Sequence, residues 1–179
     1  MNRIAAWLFV LCAVSPAFGE TYADLKAGLT AGLPPGQKVY KVVQKLTADQ
    51  AGTVNSRWGG GFQAGDDFTW YYTKDASGKV TGQAVEMTEV LDKYSAYHRW
   101  VLGFKPDGTL TALTVLELTN DHTYPMGKAS FQKQFAGKDP AKATLGAGID
   151  AVTGATESCQ LLAESLQRAA WLRTQVTFP

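Results

Sequence analysis

At 179 residues the chain has room for one domain and an accessory segment, and its 45% hydrophobic and 18% charged residues exclude an intrinsically disordered polymer. The formal net charge is +1, from 17 basic and 16 acidic residues with no basic run. That balance gives no electrostatic footprint for nucleic acid or for an anionic membrane surface.

The first segment reads as an export signal. Arg3 is the positive start, Ile4 to Val14 the apolar run, and Ala17-Phe18-Gly19 the small-residue cleavage site, so residues 1–19 form a signal peptide and residues 20–179 a single domain. The apolar run falls short of the roughly 20 residues that span a bilayer comfortably. The expected location is periplasmic or otherwise exported. Contact with the inner membrane would come through partners, or through this segment if it stays uncleaved. Cys12 lies within the run, which leaves Cys159 alone in the exported chain and allows no internal disulfide. His98 and His122 stand far apart without cysteine neighbours, so no zinc site is expected.

Tyr22 to Leu33 has leucines every four residues, at 25, 29 and 33, and predicts a short amphipathic helix stopped by Pro34-Pro35. "KVYKVVQKL" alternates as a strand. Thr47 with Gln50 three residues on spells a capping box for a second helix, and the glycine-rich stretch from Gly59 to Gly65 is a loop. Two strand–turn–strand units follow, turning at Asp75-Ala76-Ser77-Gly78 and at Lys105-Pro106-Asp107-Gly108. An irregular segment contains a short helix from Ser130 to Phe135. The last helix runs from Thr156 to Arg173, with Leu161, Leu162, Ser165, Leu166, Ala169 and Ala170 as its apolar stripe. Trp58, Trp70 and Trp100 are expected in the core or on strand faces, and Cys159 as a small buried residue of the last helix. Antiparallel hairpins flanked by helices make the fold class α+β, an antiparallel sheet with flanking helices.

The segment "GIDAVTGATESC" admits two readings. In one, Thr153 or Thr156 caps the last helix and Glu157 complements its dipole. One cap needs one hydroxyl, however, and this turn offers Thr153, Thr156 and Ser158. In the other, the flexible Gly154 and the open helix start form an anion site, and a hydroxyl there binds a phosphate or is esterified by one.

Asp150-Ala151-Val152-Thr153-Gly154-Ala155-Thr156 resembles the flavinylation motif D-x-x-[ST]-G-A-[TS] of the FMN-binding domain family. That family includes the FMN-carrying periplasmic subunits of the Rnf and sodium-translocating NADH:quinone reductase complexes. The similarity extends through "LPPGQKVYKVVQKLT", "DASGKVTGQAV", "WVLGFKPDGTLTALTVLE" and "FQKQFAG" in order, over roughly residues 33–172. The resemblance implies FMN joined to Thr156 through a phosphoester, installed by a flavin transferase from FAD with magnesium. It places Asp150, Thr153, Gly154, Ala155 and Ser158 around the attachment point. Where family members often carry E-T-P-G-L-G, this chain has His122-Thr123-Tyr124-Pro125-Met126-Gly127, so Thr123 and Gly127 match and the acidic residue does not. Tyr124 and Met126 are the candidates for apolar contact with the flavin ring, and Thr123 and Lys128 for polar contact.

On this resemblance the protein relays electrons between membrane or periplasmic redox partners, and the flavin carries the redox chemistry. No side chain is assigned a catalytic role. Two alternatives stand beside it. One is a non-catalytic module docking on a membrane redox complex without stable flavin. The other is an enzyme reducing a small substrate with bound flavin, for which the sequence offers no evident acid–base pair.

Overall fold

The computed structural model describes residues 19–91, 93, 95–147 and 149–179. Residues 1–18 of the expected export signal lie outside the described residues.

In chain order the elements are β1 (Glu20–Thr21), α1 (Leu25–Gly32), β2 (Val39–Lys45), α2 (Ala48–Trp58), β3 (Asp67–Lys74), β4 (Val80–Leu91), β5 (Ala96–Phe104) and β6 (Leu110–Leu118). A 3-10 helix (Asp121–Gly127), α3 (Ala129–Lys133), a second 3-10 helix (Pro140–Lys142) and α4 (Thr156–Arg173) follow. The six strands form one sheet, ordered β1-β6-β5-β4-β3-β2 and antiparallel throughout, so the α+β reading holds.

Local chemistry explains the boundaries. Helix α1 starts three residues later than its leucine spacing implied, because Asp24 takes the cap and accepts from the Ala27 N–H at 2.7 Å. The capping box at Thr47 forms in full: Gln50 N–H donates to Thr47 Oγ1 at 3.2 Å, and Thr47 N–H donates to Gln50 Oε1 at 3.0 Å. In each hairpin turn an aspartate organises the backbone. Asp75 Oδ1 accepts from the Ser77 and Lys79 amides, and Asp107 Oδ1 from the Thr109 amide. The two-residue β1 was not foreseen, since so short a strand carries no periodicity.

The sheet has helices on both faces. Helix α1 covers a small cluster of Leu33, Ala84, Val101 and Leu116. It crosses β5 so closely that a Cβ on Gly103 would lie 2.4 Å from the Gly32 Cα, and glycine is the residue that permits this approach. The opposite face holds the main core, where Val85, Met87, Trp100, Leu102 and Phe104 meet α4 through Cys159, Leu162, Leu166 and Ala169. Trp70 and Trp100 are wholly buried and Trp58 is half-buried at the end of α2. An extra residue in β6 shifts its register opposite Arg99 and Trp100, which turns Leu116 toward α1 and Val115 toward the core.

The buried face of α4 departs from the expected stripe. Leu161 and Ala170 are only half-buried, whereas Ser158, Ser165 and Arg168 are buried. Each meets an inward-facing strand group. Ser158 Oγ lies 3.0 Å from His98 Nε2, Ser165 Oγ accepts from Trp100 Nε1 at 3.0 Å, and Arg168 is ion-paired with Glu89. A polar seam therefore runs through the core between α4 and the β4–β5 pair, with Glu89 Oε1, His98 Nδ1 and Arg168 Nε left without a hydrogen-bond partner among the described residues.

Candidate functional site

The start of α4 stands open. Its N-cap position is Ala155, and no side chain caps it. Neither Thr153 nor Thr156 takes that role, which corrects the capping reading. Both are exposed, and among the described residues no hydrogen bond engages either hydroxyl. The first helical bond runs from Cys159 N–H to Ala155 C=O at 3.0 Å, so the amides of Thr156, Glu157 and Ser158 precede the helical ladder. The helix dipole favours negative charge at this end.

A groove of about 240 Å3 lies over these amides. Gly154 through Ser158 form one wall, and Asn120, His122 and Thr123 form the other. The second wall is fixed internally. Asn120 Oδ1 accepts from the His122 amide at 3.1 Å, and the Thr123 hydroxyl donates to the Asn120 carbonyl at 2.5 Å. That hydroxyl therefore has only its acceptor capacity left. The loop carrying the first wall is also held. The Asp150 amide donates to Gln134 Oε1 at 2.8 Å, and the Val152 amide reaches Cys159 Sγ at 3.4 Å. Gly154 has φ +83° with open space around it, a left-handed turn suited to glycine. Glu157 at the rim is paired with Lys93 at 2.7 Å, which offsets its charge beside the groove.

Of the residues singled out in the sequence, Thr123, Gly154, Ala155, Thr156 and Ser158 line this groove together. Thr153 and Asp150 lie just before it, both exposed. The structure does not bring the remaining four to its walls. Met126 is wholly buried in the main core, and Gly127 packs against the Tyr22 ring. Tyr124 is 49% exposed with Lys128 Nζ 5.0 Å from its ring centre, and the pair faces outward. Sequence reasoning missed Asn120, His122 and Glu157 as groove residues, and His98 behind Ser158. The alternation of β5 was the available signal for His98, because it sets that residue on the same inward face as Trp100.

Two other grooves compete in size but differ in chemistry. One of about 270 Å3 is lined by Leu110, Phe135, Ile149 and Leu166 with Lys138 at its edge. One of about 620 Å3 runs along Leu25, Leu29 and Pro34 beneath α1. Both are mainly apolar, and neither contains an open helix start. The groove at Thr156 differs from both in combining a helix start with exposed hydroxyls.

Residues 94–170 match the family model for the FMN-binding domain. The match supports the resemblance to the FMN-binding domain family read from the sequence. The match runs from the start of β5 through most of α4 and so contains both walls of the groove. Among solved structures, the chain is similar to Shewanella oneidensis NqrC at 18% identity and a TM-score of 0.46, over 78% of this chain and 66% of that one. It therefore spans just under two-thirds of that protein's length. No curated protein matches the chain.

FMN fits what the groove offers. The helix dipole and the unbonded Thr153 and Thr156 hydroxyls suit a phosphate, and an open left-handed glycine turn leaves room for a bulky substituent beside it.

Proposed function

We propose that the protein is an exported electron carrier holding FMN through a phosphoester on Thr156. The observation that carries this reading is the exposed, unbonded Thr156 hydroxyl at the uncapped start of α4, inside the segment Asp150–Thr156. Attachment forms a bond between Thr156 Oγ and the FMN phosphorus. With FAD as donor, the diphosphate link breaks, AMP departs and the hydroxyl proton passes to a base of the transferase. The helix dipole of α4, the Thr156 and Ser158 amides and the Ser158 hydroxyl would hold the phosphate, while Thr153 and Gly154 shape the turn around it. A tether keeps the cofactor in place where free flavin is scarce, independently of its concentration. The flavin would supply one- and two-electron transfer, and the protein would supply placement and electrostatics.

Coexpression with a flavin transferase, followed by intact-mass measurement and peptide mapping, tests the proposal. The expected result is a yellow protein whose added mass maps to Thr156 and whose colour survives acid precipitation. Thr156→Ala should lose the modification and keep the fold. A wild-type protein with the mass of its bare polypeptide would favour the non-catalytic docking module instead.

A further inference from the structure

Ser158 at the groove has a partner that the flavin-attachment segment does not contain. It is the third residue of α4, it is 2% exposed, and its hydroxyl sits 3.0 Å from Nε2 of His98 on β5. A serine at such a position often turns its hydroxyl back to its own helix. Here it reaches across to the sheet.

His98 is itself fully buried, packed beside Trp100 with the rings tilted and their centres 6.0 Å apart. Burial holds its imidazole below the ordinary histidine range, against a smaller upward pull from the Tyr97 backbone. A neutral ring carries one N–H, and its place decides what Ser158 presents to the groove. Nδ1 makes no well-formed hydrogen bond among the described residues, and the Tyr97 carbonyl already accepts from the Thr119 amide at 3.2 Å and the Thr119 hydroxyl at 2.9 Å. An orphaned buried N–H is rarer than an orphaned acceptor, which favours the proton on Nε2. Nε2–H then donates to Ser158 Oγ, and the serine proton is left to point elsewhere.

We infer that His98 is a positioning residue for the cofactor phosphate: it occupies the lone pair of Ser158 so that the serine hydroxyl donates into the groove beside Thr156. The inference rests on the proposed attachment of FMN at Thr156. It makes the strand behind the helix part of the phosphate site, and it gives one purpose to two buried polar residues that packing alone does not require. His98 touches neither flavin nor phosphate; it acts through Ser158.

The phosphorus resonance of the flavinylated protein tests this, read by 31P NMR on wild type, Ser158→Ala, His98→Leu, His98→Gln and the Ser158→Ala/His98→Leu double variant. Intact mass first establishes that each sample carries flavin. The resonance is expected to move in Ser158→Ala and in His98→Leu, and to move no further in the double variant. His98→Gln, whose amide nitrogen can take the place of Nε2, is expected to stay near wild type. A purely packing role for His98 would not produce that rescue. If His98→Leu fails to fold, His98→Ala takes its place in the single and double variants, and a wild-type resonance there overturns the inference. A wild-type resonance in Ser158→Ala, or additive shifts in the double variant, overturns the inference with the attachment intact. A wild type lacking flavin overturns the attachment, and the mass shows which has failed.

Discussion

Replacing Arg168 by methionine should be among the most damaging single changes in this protein. Arg168 and Glu89 are paired deep between α4 and β4, with side chains only 1% and 6% exposed. The Arg168 guanidinium also lies 5.1 Å from the Phe62 ring centre. Arg168→Met preserves much of the volume but strands the carboxylate. Breaking a buried pair from one side costs about 3–5 kcal/mol, which for a domain of this size lowers Tm by roughly 6–20 °C. The deficit should depend on pH. Burial already raises the Glu89 pKa, and Arg168 opposes that rise. Without the arginine the folded-state value climbs further above the unfolded one. Native protein then holds a proton that the unfolded chain has released, so stability is retained at acid pH and falls as pH rises, by about 1.4 kcal/mol per unit within that window. Urea melts of Arg168→Met should thus show a smaller deficit at pH 5 than at pH 7. Adding Glu89→Gln should recover much of the loss at pH 7. A deficit equal at both pH values, or no recovery in the double variant, would show that Glu89 is not the stranded charge.

Thr47→Ala removes a complete capping box and should cost about 1 kcal/mol in chemical denaturation, whereas Thr153→Ala and Thr156→Ala, measured on unmodified protein, should stay within about 0.5 kcal/mol of wild type because neither hydroxyl is bonded. Gly103→Ala sets a Cβ 2.4 Å from backbone on α1, so the helix must shift; a loss of about 1–3 kcal/mol is expected, and a wild-type melt would disprove the close crossing. Cys159 is fully buried and burial raises its thiol pKa, so a thiol reagent at pH 8 should label it only after denaturant is added, as read by peptide mapping.

The parts legible in the sequence were those written in local chemistry. Thr47 and Gln50, the two aspartate–glycine turns and the start of α4 at Thr156 each depend on neighbours within a few residues. The seam between α4 and the sheet depends on pairs 60 to 79 residues apart, and only the folded register brings Ser158 to His98 or Arg168 to Glu89. Polar residues at 158, 165 and 168 looked like interruptions of an apolar stripe. They are answered by Glu89, His98 and Trp100, which strand alternation turns inward beside Met87 and Leu102. Met126 shows the opposite limit. Its place in a segment similar to a flavin loop suggested a ligand contact, but a flexible apolar side chain serves equally as filler, and the core took it. The groove's second wall was half read: Thr123 was found by motif, while Asn120 and His122 enter through the turn that Asn120 caps.

The treatment of its helix starts gives the site an internal control. Helix α1 is capped by Asp24 and α2 by Thr47; the five-residue α3 has no side-chain cap, and neither does α4, at 18 residues the longest helix among the described residues, which begins on Ala155 with threonines on either side of the turn. Leaving that start open forgoes about 1 kcal/mol. A phosphate seated on the amides of Thr156 to Ser158 would return it and add the attraction of a negative charge for the helix dipole, about 0.3–1 kcal/mol more. Flavinylated protein should therefore be more stable than unmodified protein by roughly 1–2 kcal/mol, and part of that gain should fade as salt is added. Thr156→Ala exposed to the same transferase, FAD and magnesium should gain nothing. The comparison needs only denaturation curves of loaded and unloaded protein at low and high salt. Equal midpoints would mean that the phosphate does not rest on the helix start, even if mass analysis finds it on Thr156.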